Sequence, residues 1–176
     1  MNPAVRHVLL VGIQHSGKSS AGRLLARKLG RRFADLDDEL LKRNPPAATA
    51  RELFASLGRE LFRQREAEAL AELLVSGDPL VIAAGGGLSD APVDWEDARR
   101  RAVIVWIDID DGIAWERVVR KGLPAYLSSK TEEEAKREFR ARNAERRETY
   151  RKVSGIQLRA DSTSAATAAK IQRMLP

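Results

Sequence analysis

A glycine-rich segment near the start of the chain has the residue types that bind nucleotide phosphates. Residues 12–19 read Gly-Ile-Gln-His-Ser-Gly-Lys-Ser and match the pattern G-x-x-x-x-G-K-[ST] in full. In such a loop the backbone N–H groups wrap a phosphate, Lys18 reaches the β- and γ-phosphates, and the Ser19 hydroxyl coordinates Mg²⁺. The residues expected to contact the nucleotide are Gly12, Ser16, Gly17, Lys18, Ser19 and Ser20.

Two carboxylates follow this phosphate loop (residues 12–19) at a short spacing. Asp35 and Asp37 come after Lys18, at the predicted end of a strand, where side chains two residues apart point to the same side. One carboxylate can serve Mg²⁺, and the other can accept a proton from an attacking hydroxyl. This segment also suits the start of a helix, because the negative charges of Asp37, Asp38 and Glu39 would be favoured electrostatically there.

The elements that must position these groups alternate between short apolar runs and longer amphipathic segments. The pattern predicts strands near 8–11, 32–35, 79–84, 102–107 and 156–159, and helices over 19–29, 49–57, 58–75, 110–120, 132–154 and 164–175. Such alternation indicates an α/β fold with a mostly parallel sheet and with ligands at the carboxyl ends of the strands. The length of 176 residues favours one domain, residues 1–176.

The composition disfavours several kinds of structural and catalytic site, and the charged residues are unevenly distributed along the chain. The chain has no cysteine and two histidines, which disfavours disulfide scaffolds, thiolate zinc sites, cysteine nucleophiles and most histidine-based triads. The net charge is +6, and residues 136–152 hold eight basic against three acidic residues, which suits a solvated helix face or anion-binding arginines. No export signal or membrane span of about 20 apolar residues is visible, so we expect a cytoplasmic protein.

Several motifs resemble those of the shikimate kinases and occur in the same order. After the phosphate loop come Asp35-x-Asp37, Leu53-Phe54, Gly58, Phe62-Arg63, Glu66, Gly85-Gly86-Gly87 and Arg146-x-x-x-Tyr150. The resemblance implies a three-layer fold with a five-stranded parallel sheet in the order 2-3-1-4-5, an acceptor-binding region near 36–64 and a lid near 121–134. It also implies transfer of the γ-phosphoryl group of ATP to the 3-hydroxyl of shikimate, in aromatic amino-acid biosynthesis.

The resemblance further implies roles for individual residues. Asp35 and Ser19 would hold Mg²⁺, while Asp37 would bind the acceptor hydroxyl and act as, or position, the base. Arg63 and Arg146 would bind the acceptor carboxylate, as forked guanidinium groups do. The substrate-binding residues would be Asp37, Arg63, Gly85, Gly86, Gly87 and Arg146, in a pocket that Phe54 and Glu66 shape and brace.

The lid departs from the pattern of the family. Arg-Pro-Leu-Leu is usual there, whereas residues 123–127 of this chain read Leu-Pro-Ala-Tyr-Leu, with leucine in the arginine position. Because a lid arginine stabilises charge on the transferring phosphoryl group, another cation must replace it or the activity falls. Arg120, Lys121 and Lys130 are nearby, and Arg120 is the first choice. The predicted catalytic residues are therefore Asp37, Lys18 and Arg120.

Three alternatives stay open at this point. The chain would also fit a related kinase acting on another small polyhydroxy acid such as gluconate, or a diverged pseudokinase, given the leucine at position 123. A nucleic-acid-binding module that uses ATP only structurally rests on residues 136–152 alone, and the chain has 5% aromatic residues and no nucleic-acid-binding motif. We expect small-molecule substrates, no nucleic acid or membrane partner, and a monomer.

Overall fold

A parallel five-stranded sheet forms the centre of the computed structural model, which describes residues 6–124, 127, 129–160 and 163–176. The strands are β1 (His7–Val11), β2 (Arg32–Asp35), β3 (Leu80–Ala83), β4 (Ala102–Asp108) and β5 (Ile156–Arg159). Their order is β2-β3-β1-β4-β5, and each of the four neighbouring pairs is parallel. The α/β fold and the strand order expected above are therefore confirmed.

Helices connect the strands and cover both faces of the sheet. They are α1 (Lys18–Leu29), α2 (Leu36–Arg43), α3 (Ala50–Leu74), α4 (Trp95–Arg101), α5 (Asp111–Lys121), α6 (Glu132–Val153) and α7 (Ser164–Met174). Helix α3 spans the two helices predicted over 49–57 and 58–75, and Gly58 kinks it with a left-handed φ of 75°. Helix α4 and the 3-10 turn Leu88–Asp90 were not predicted. None of the described helices combines the length and apolarity that a membrane crossing requires.

Two apolar clusters lie on opposite faces of the sheet. Strand β1 is fully buried because it is central, and its alternate side chains enter different clusters, as the two-residue period of a strand requires. Leu9 and Val11 pack with residues of α2, α3, α4 and α6. Val8 and Leu10 pack with residues of α1 and α7. The three layers of the fold follow from this alternation.

The register of the strands brings the motif-bearing loops to one edge of the sheet. In the sheet, Ala83 of β3 is paired with Leu10 of β1 on one side and with Asp35 of β2 on the other. The next residue, Ala84, donates its N–H to the Leu10 carbonyl at 3.0 Å. The same edge of the sheet therefore holds the phosphate loop, Asp35 and the three glycines.

Candidate active site

The phosphate loop encloses the ammonium group of Lys18. Its Nζ donates to the carbonyl oxygens of Gly12 at 2.9 Å and Ile13 at 2.7 Å, and to Ser16 Oγ at 3.2 Å. Burial lowers the pKa of Lys18 to about 8, although the carboxylate of Asp37 opposes this effect. The buried ammonium group of Lys18 thus lies inside the loop that the sequence pattern predicts to bind phosphate. The predicted contact Ser20, by contrast, is exposed in the first turn of α1.

Ser19 and Asp35 form a pair of oxygen ligands beside the loop. Ser19 Oγ donates to Asp35 Oδ2 at 2.7 Å, and Asp35 Oδ1 accepts from the backbone N–H of Asp37 at 3.2 Å. Within the described ranges, no cluster of three or more His, Asp or Glu side chains is arranged to hold a metal. A hard cation such as Mg²⁺ needs only one or two protein oxygens when phosphates and water complete its shell, and this pair fits that chemistry.

Asp37 is half-buried at the edge of the site, and it does not lie in a strand. Helix α2 begins at Leu36, so the extended geometry predicted for residues 35–37 is wrong, and the alternative of an acidic helix start applies. Its carboxylate still faces the site: a Cβ placed on Gly85 would lie 2.9 Å from Asp37 Oδ1 and 2.7 Å from Glu66 Oε1. Burial, and secondarily Asp35, raises the pKa of Asp37 above its usual range.

The glycine run, residues 85–87, passes between the two halves of the site. A Cβ on Gly86 would lie 2.7 Å from the backbone nitrogen of Gln14 in the phosphate loop. A Cβ on Gly87 would overlap the guanidinium group of Arg63. Only glycine permits this close approach on both sides. The run therefore brings the phosphate loop next to the residues of α2 and α3.

Arg63 is held from several sides on α3. Its guanidinium group forms an ion pair with Glu66 and lies 5.9 Å and 5.4 Å from the ring centres of Phe54 and Phe62. Burial raises the pKa of Glu66 to about 7, although Arg63 opposes the shift. Arg63 Nη2 is 4.0 Å from Asp90 Oδ2. The cation is thus positioned by aromatic faces and carboxylates.

Arg146 approaches the same place from α6. It is buried, and its Nη2 donates to Asp90 Oδ2 at 3.0 Å while Nε lies 3.5 Å from Oδ1. One turn later, the buried Tyr150 hydroxyl accepts from the backbone N–H of Ser89 at 3.3 Å. Both α6 side chains therefore hold the 3-10 turn that follows the glycines. Asp90 was missed by the sequence analysis, although an acidic residue three positions after a glycine run was visible.

A second residue that the sequence analysis missed, an arginine, lies against the phosphate loop. Arg117 of α5 is half-buried, and its Nη1 donates to the carbonyl of His15 at 2.8 Å. Arg120, the predicted substitute for the lid arginine, is exposed and makes no hydrogen bond or ion pair with the described residues. Arg117 lies one helical turn before Arg120 and therefore farther along the chain from the predicted lid. The predicted lid lies partly outside the described residues, at 125, 126 and 128.

Comparison with known proteins gives one family. The family model described as shikimate kinase matches residues 14–176. A shikimate kinase from Symbiobacterium thermophilum is 39% identical over 117 residues, which cover 66% of this chain and 66% of that protein. A shikimate kinase from Acinetobacter baumannii, solved in complex with shikimate, superimposes with a TM-score of 0.86 at 28% identity and covers 98% of this chain and 93% of that one.

The curated relatives are matched over only part of their length, and one solved structure of similar fold has low sequence identity. The matched stretches span 56% to 66% of the length of the first three curated relatives. A gluconokinase from Sinorhizobium meliloti 1021 covers 96% of this chain and 93% of that one, with a TM-score of 0.60 at 17% identity. At that identity the likeness shows the fold alone.

Proposed function

The chain belongs to the shikimate kinase family, a family of phosphotransferases, and we propose that it transfers the γ-phosphoryl group of ATP to the 3-hydroxyl of shikimate. The products are shikimate 3-phosphate and ADP. The observation that carries the proposal is the meeting of a phosphate loop, a half-buried carboxylate (Asp37) and two arginines (Arg63 and Arg146) around one glycine run. The A. baumannii relative, solved with shikimate, supports the same acceptor.

On the nucleotide side, the chain supplies positioning and positive charge. The loop N–H groups and Lys18 would bind the β- and γ-phosphates, which replace the loop carbonyls as partners of the ammonium group. Ser19 and Asp35 would hold Mg²⁺, which shields the phosphate charge when it is bound. Holding the reactants in line accounts for most of the catalysis expected of such a site, since phosphoryl transfer needs little covalent help from the protein.

On the acceptor side, Asp37 would act on the attacking hydroxyl. As the acceptor oxygen bonds to the γ-phosphorus and ADP leaves, the hydroxyl proton passes to the Asp37 carboxylate. The raised pKa of Asp37 makes that carboxylate a better proton acceptor than an exposed one. Arg63 and Arg146 would bind the acceptor carboxylate and so present one hydroxyl to the phosphate. The backbone of residues 85–87 would support the ring.

The regions around this site follow from the same proposal. Residues 36–64 would form the acceptor-binding region and residues 121–134 the lid of a single domain. Arg120 stays a prediction for the lid cation, and the contact of Arg117 with the phosphate loop makes it a second candidate. A monomer stays a prediction for the working form.

A coupled ADP-release assay with and without shikimate tests the proposal. We expect ATP turnover that depends on shikimate and is not supported by gluconate. Arg63→Ala should raise the KM for shikimate, whereas Arg65→Ala, an exposed neighbour paired with Glu68, should not. Turnover with gluconate alone would overturn the acceptor assignment. An absence of turnover with either acid would indicate the pseudokinase.

A further inference from the structure

A carboxylate of the chain itself lies between the arginines of the acceptor site. Oδ2 of Asp90 is 3.0 Å from Arg146 Nη2, 4.0 Å from Arg63 Nη2 and 3.9 Å from Arg59 Nη2. Two of these arginines are the pair assigned above to the acceptor carboxylate. One oxygen of Asp90 thus lies among the same guanidinium groups that an incoming carboxylate must reach.

Carboxyl groups of the chain accompany the guanidinium groups around Asp90 without an acceptor. The three guanidinium groups are accompanied, among the described residues of this site, by the carboxyl groups of Asp37, Glu66 and Asp90. An acceptor carboxylate therefore enters a site where Asp90 already offsets part of the positive charge of the arginines. Without the charge of Asp90 the same site would be more positive and would attract an anion more strongly.

The turn that carries Asp90 is held by contacts that do not involve the Asp90 side chain. The 3-10 turn is held by the Tyr150 hydroxyl, which accepts from the backbone of Ser89, and by burial of Leu88. The Asp90 side chain is 19% exposed, so water is available to its carboxylate when it leaves the arginines. Ser89 Oγ donates to Asp90 Oδ1 at 3.1 Å and gives the side chain a second partner on the same turn.

We propose that Asp90 is a specificity-determining residue that occupies the acceptor-carboxylate position and is displaced when the acceptor binds. This inference rests on the proposed function, whose acceptor site it refines. An acceptor must then carry a carboxylate that competes with the internal one for Arg63 and Arg146. A neutral polyol cannot replace the charge of Asp90 on these arginines, so it is rejected. Acceptor affinity is correspondingly weaker than the arginine pair alone would provide.

The test compares Asp90→Asn with the wild-type chain. Asparagine keeps the size of the side chain and its acceptor oxygen for Ser89, and removes only the charge. Removing the charge that competes for Arg63 and Arg146 should lower the Kd and KM for shikimate roughly five- to tenfold, with kcat little changed. Asp78→Asn removes the same charge at an exposed position far from the arginines and should change neither constant. An unchanged or raised Kd for shikimate in Asp90→Asn overturns the proposal.

Benzoate separates failure of this inference from failure of the proposed function. It is a ring carboxylate that probes the arginine pair by calorimetry and needs no turnover. If the wild-type chain shows no shikimate-dependent ADP release, the proposed function fails, while tighter benzoate binding by Asp90→Asn still supports displacement. Asp90→Ser serves as a second neutral variant if Asp90→Asn does not fold, and Asp90→Glu should keep wild-type affinity. Weaker benzoate binding in the neutral variants would show that Asp90 only braces the arginines.

Discussion

Ser19 and Asp35 are joined by a 2.7 Å hydrogen bond from hydroxyl to carboxylate. Ser19 lies in the first turn of α1, and Asp35 ends β2, which β3 separates from β1 in the sheet. The bond therefore connects the phosphate loop with a strand that is not its neighbour. It places a neutral and a charged oxygen together at the point where nucleotide phosphates would arrive, which is the donor set that Mg²⁺ prefers.

Asp35→Asn should weaken the use of Mg²⁺ without unfolding α2. Asparagine remains a good N-cap, so the acceptor for the Asp37 N–H is kept while the negative charge is lost. We expect the Mg²⁺ concentration for half-maximal ADP release to rise roughly ten- to hundredfold. Asp38→Asn is the matched control, because Asp38 is exposed and pairs only distantly with Arg23. An unchanged Mg²⁺ dependence would exclude Asp35 as a ligand.

Buried strands were the part of the fold most visible in the sequence. Continuous apolar runs and the stop at Gly30 marked β1, β3, β4 and α1, because fully covered strands must be apolar throughout. Helix α4 was missed because it has seven residues, too few to show a helical period. The strand order came from the family resemblance, since no local pattern specifies which strands become neighbours.

Asp37→Asn should abolish most of the turnover while leaving acceptor binding largely intact. The amide still accepts a hydrogen bond from a hydroxyl, but it cannot take the proton. We expect kcat to fall roughly 10²- to 10⁴-fold, the usual contribution of a positioned base. The Kd for shikimate, measured by calorimetry, should change far less. A kcat near that of the wild type would remove Asp37 from the proton transfer, and Asp38→Asn again controls for loss of charge on α2.

The basic helix illustrates why sequence alone could not complete the site. Residues 136–152 hold eight cations, and which of them face inward depends on the phase of α6 and on partners far along the chain. Arg146 meets Asp90, whereas Arg147 binds Asp108, Asp111 and the carbonyl of Ile109. No spacing rule links these residues, because the contacts form only when β4, α5 and the 3-10 turn are in place.

Arg117 and Arg120 are the two candidates for the cation that contacts the nucleotide phosphates. Because Arg117 already donates to the phosphate loop, Arg117→Ala should raise the KM for ATP several-fold and lower kcat. Arg120→Ala, one helical turn away and exposed, is the matched variant and should change both constants less. Steady-state kinetics with varied ATP separate the two. If Arg120→Ala is instead the damaging change, the lid cation predicted from the sequence is the right one.

Glu66 should make the stability of the fold depend on pH. Its pKa rises from an ordinary 4.5 to about 7, so between these values the folded state binds more protons than the unfolded one. The stabilising contribution that Glu66 makes through this pKa difference is therefore fully present below about pH 4.5. It is lost as the pH rises through about 7, and the free energy of unfolding falls by on the order of 3 kcal/mol at most. A glutamine side chain cannot ionise, so the Glu66→Gln variant should lack this loss.

Thermal unfolding of Glu66→Gln and the wild type at pH 5 and pH 8 measures the effect. The Tm of the variant minus that of the wild type should become more positive at the higher pH, because only the wild type must then ionise a buried carboxyl. Glu68→Gln, exposed and paired with Arg65, should show no such trend. A difference that is constant with pH would mean that the ion pair with Arg63 holds Glu66 ionised throughout, with no excess of bound protons in the folded state.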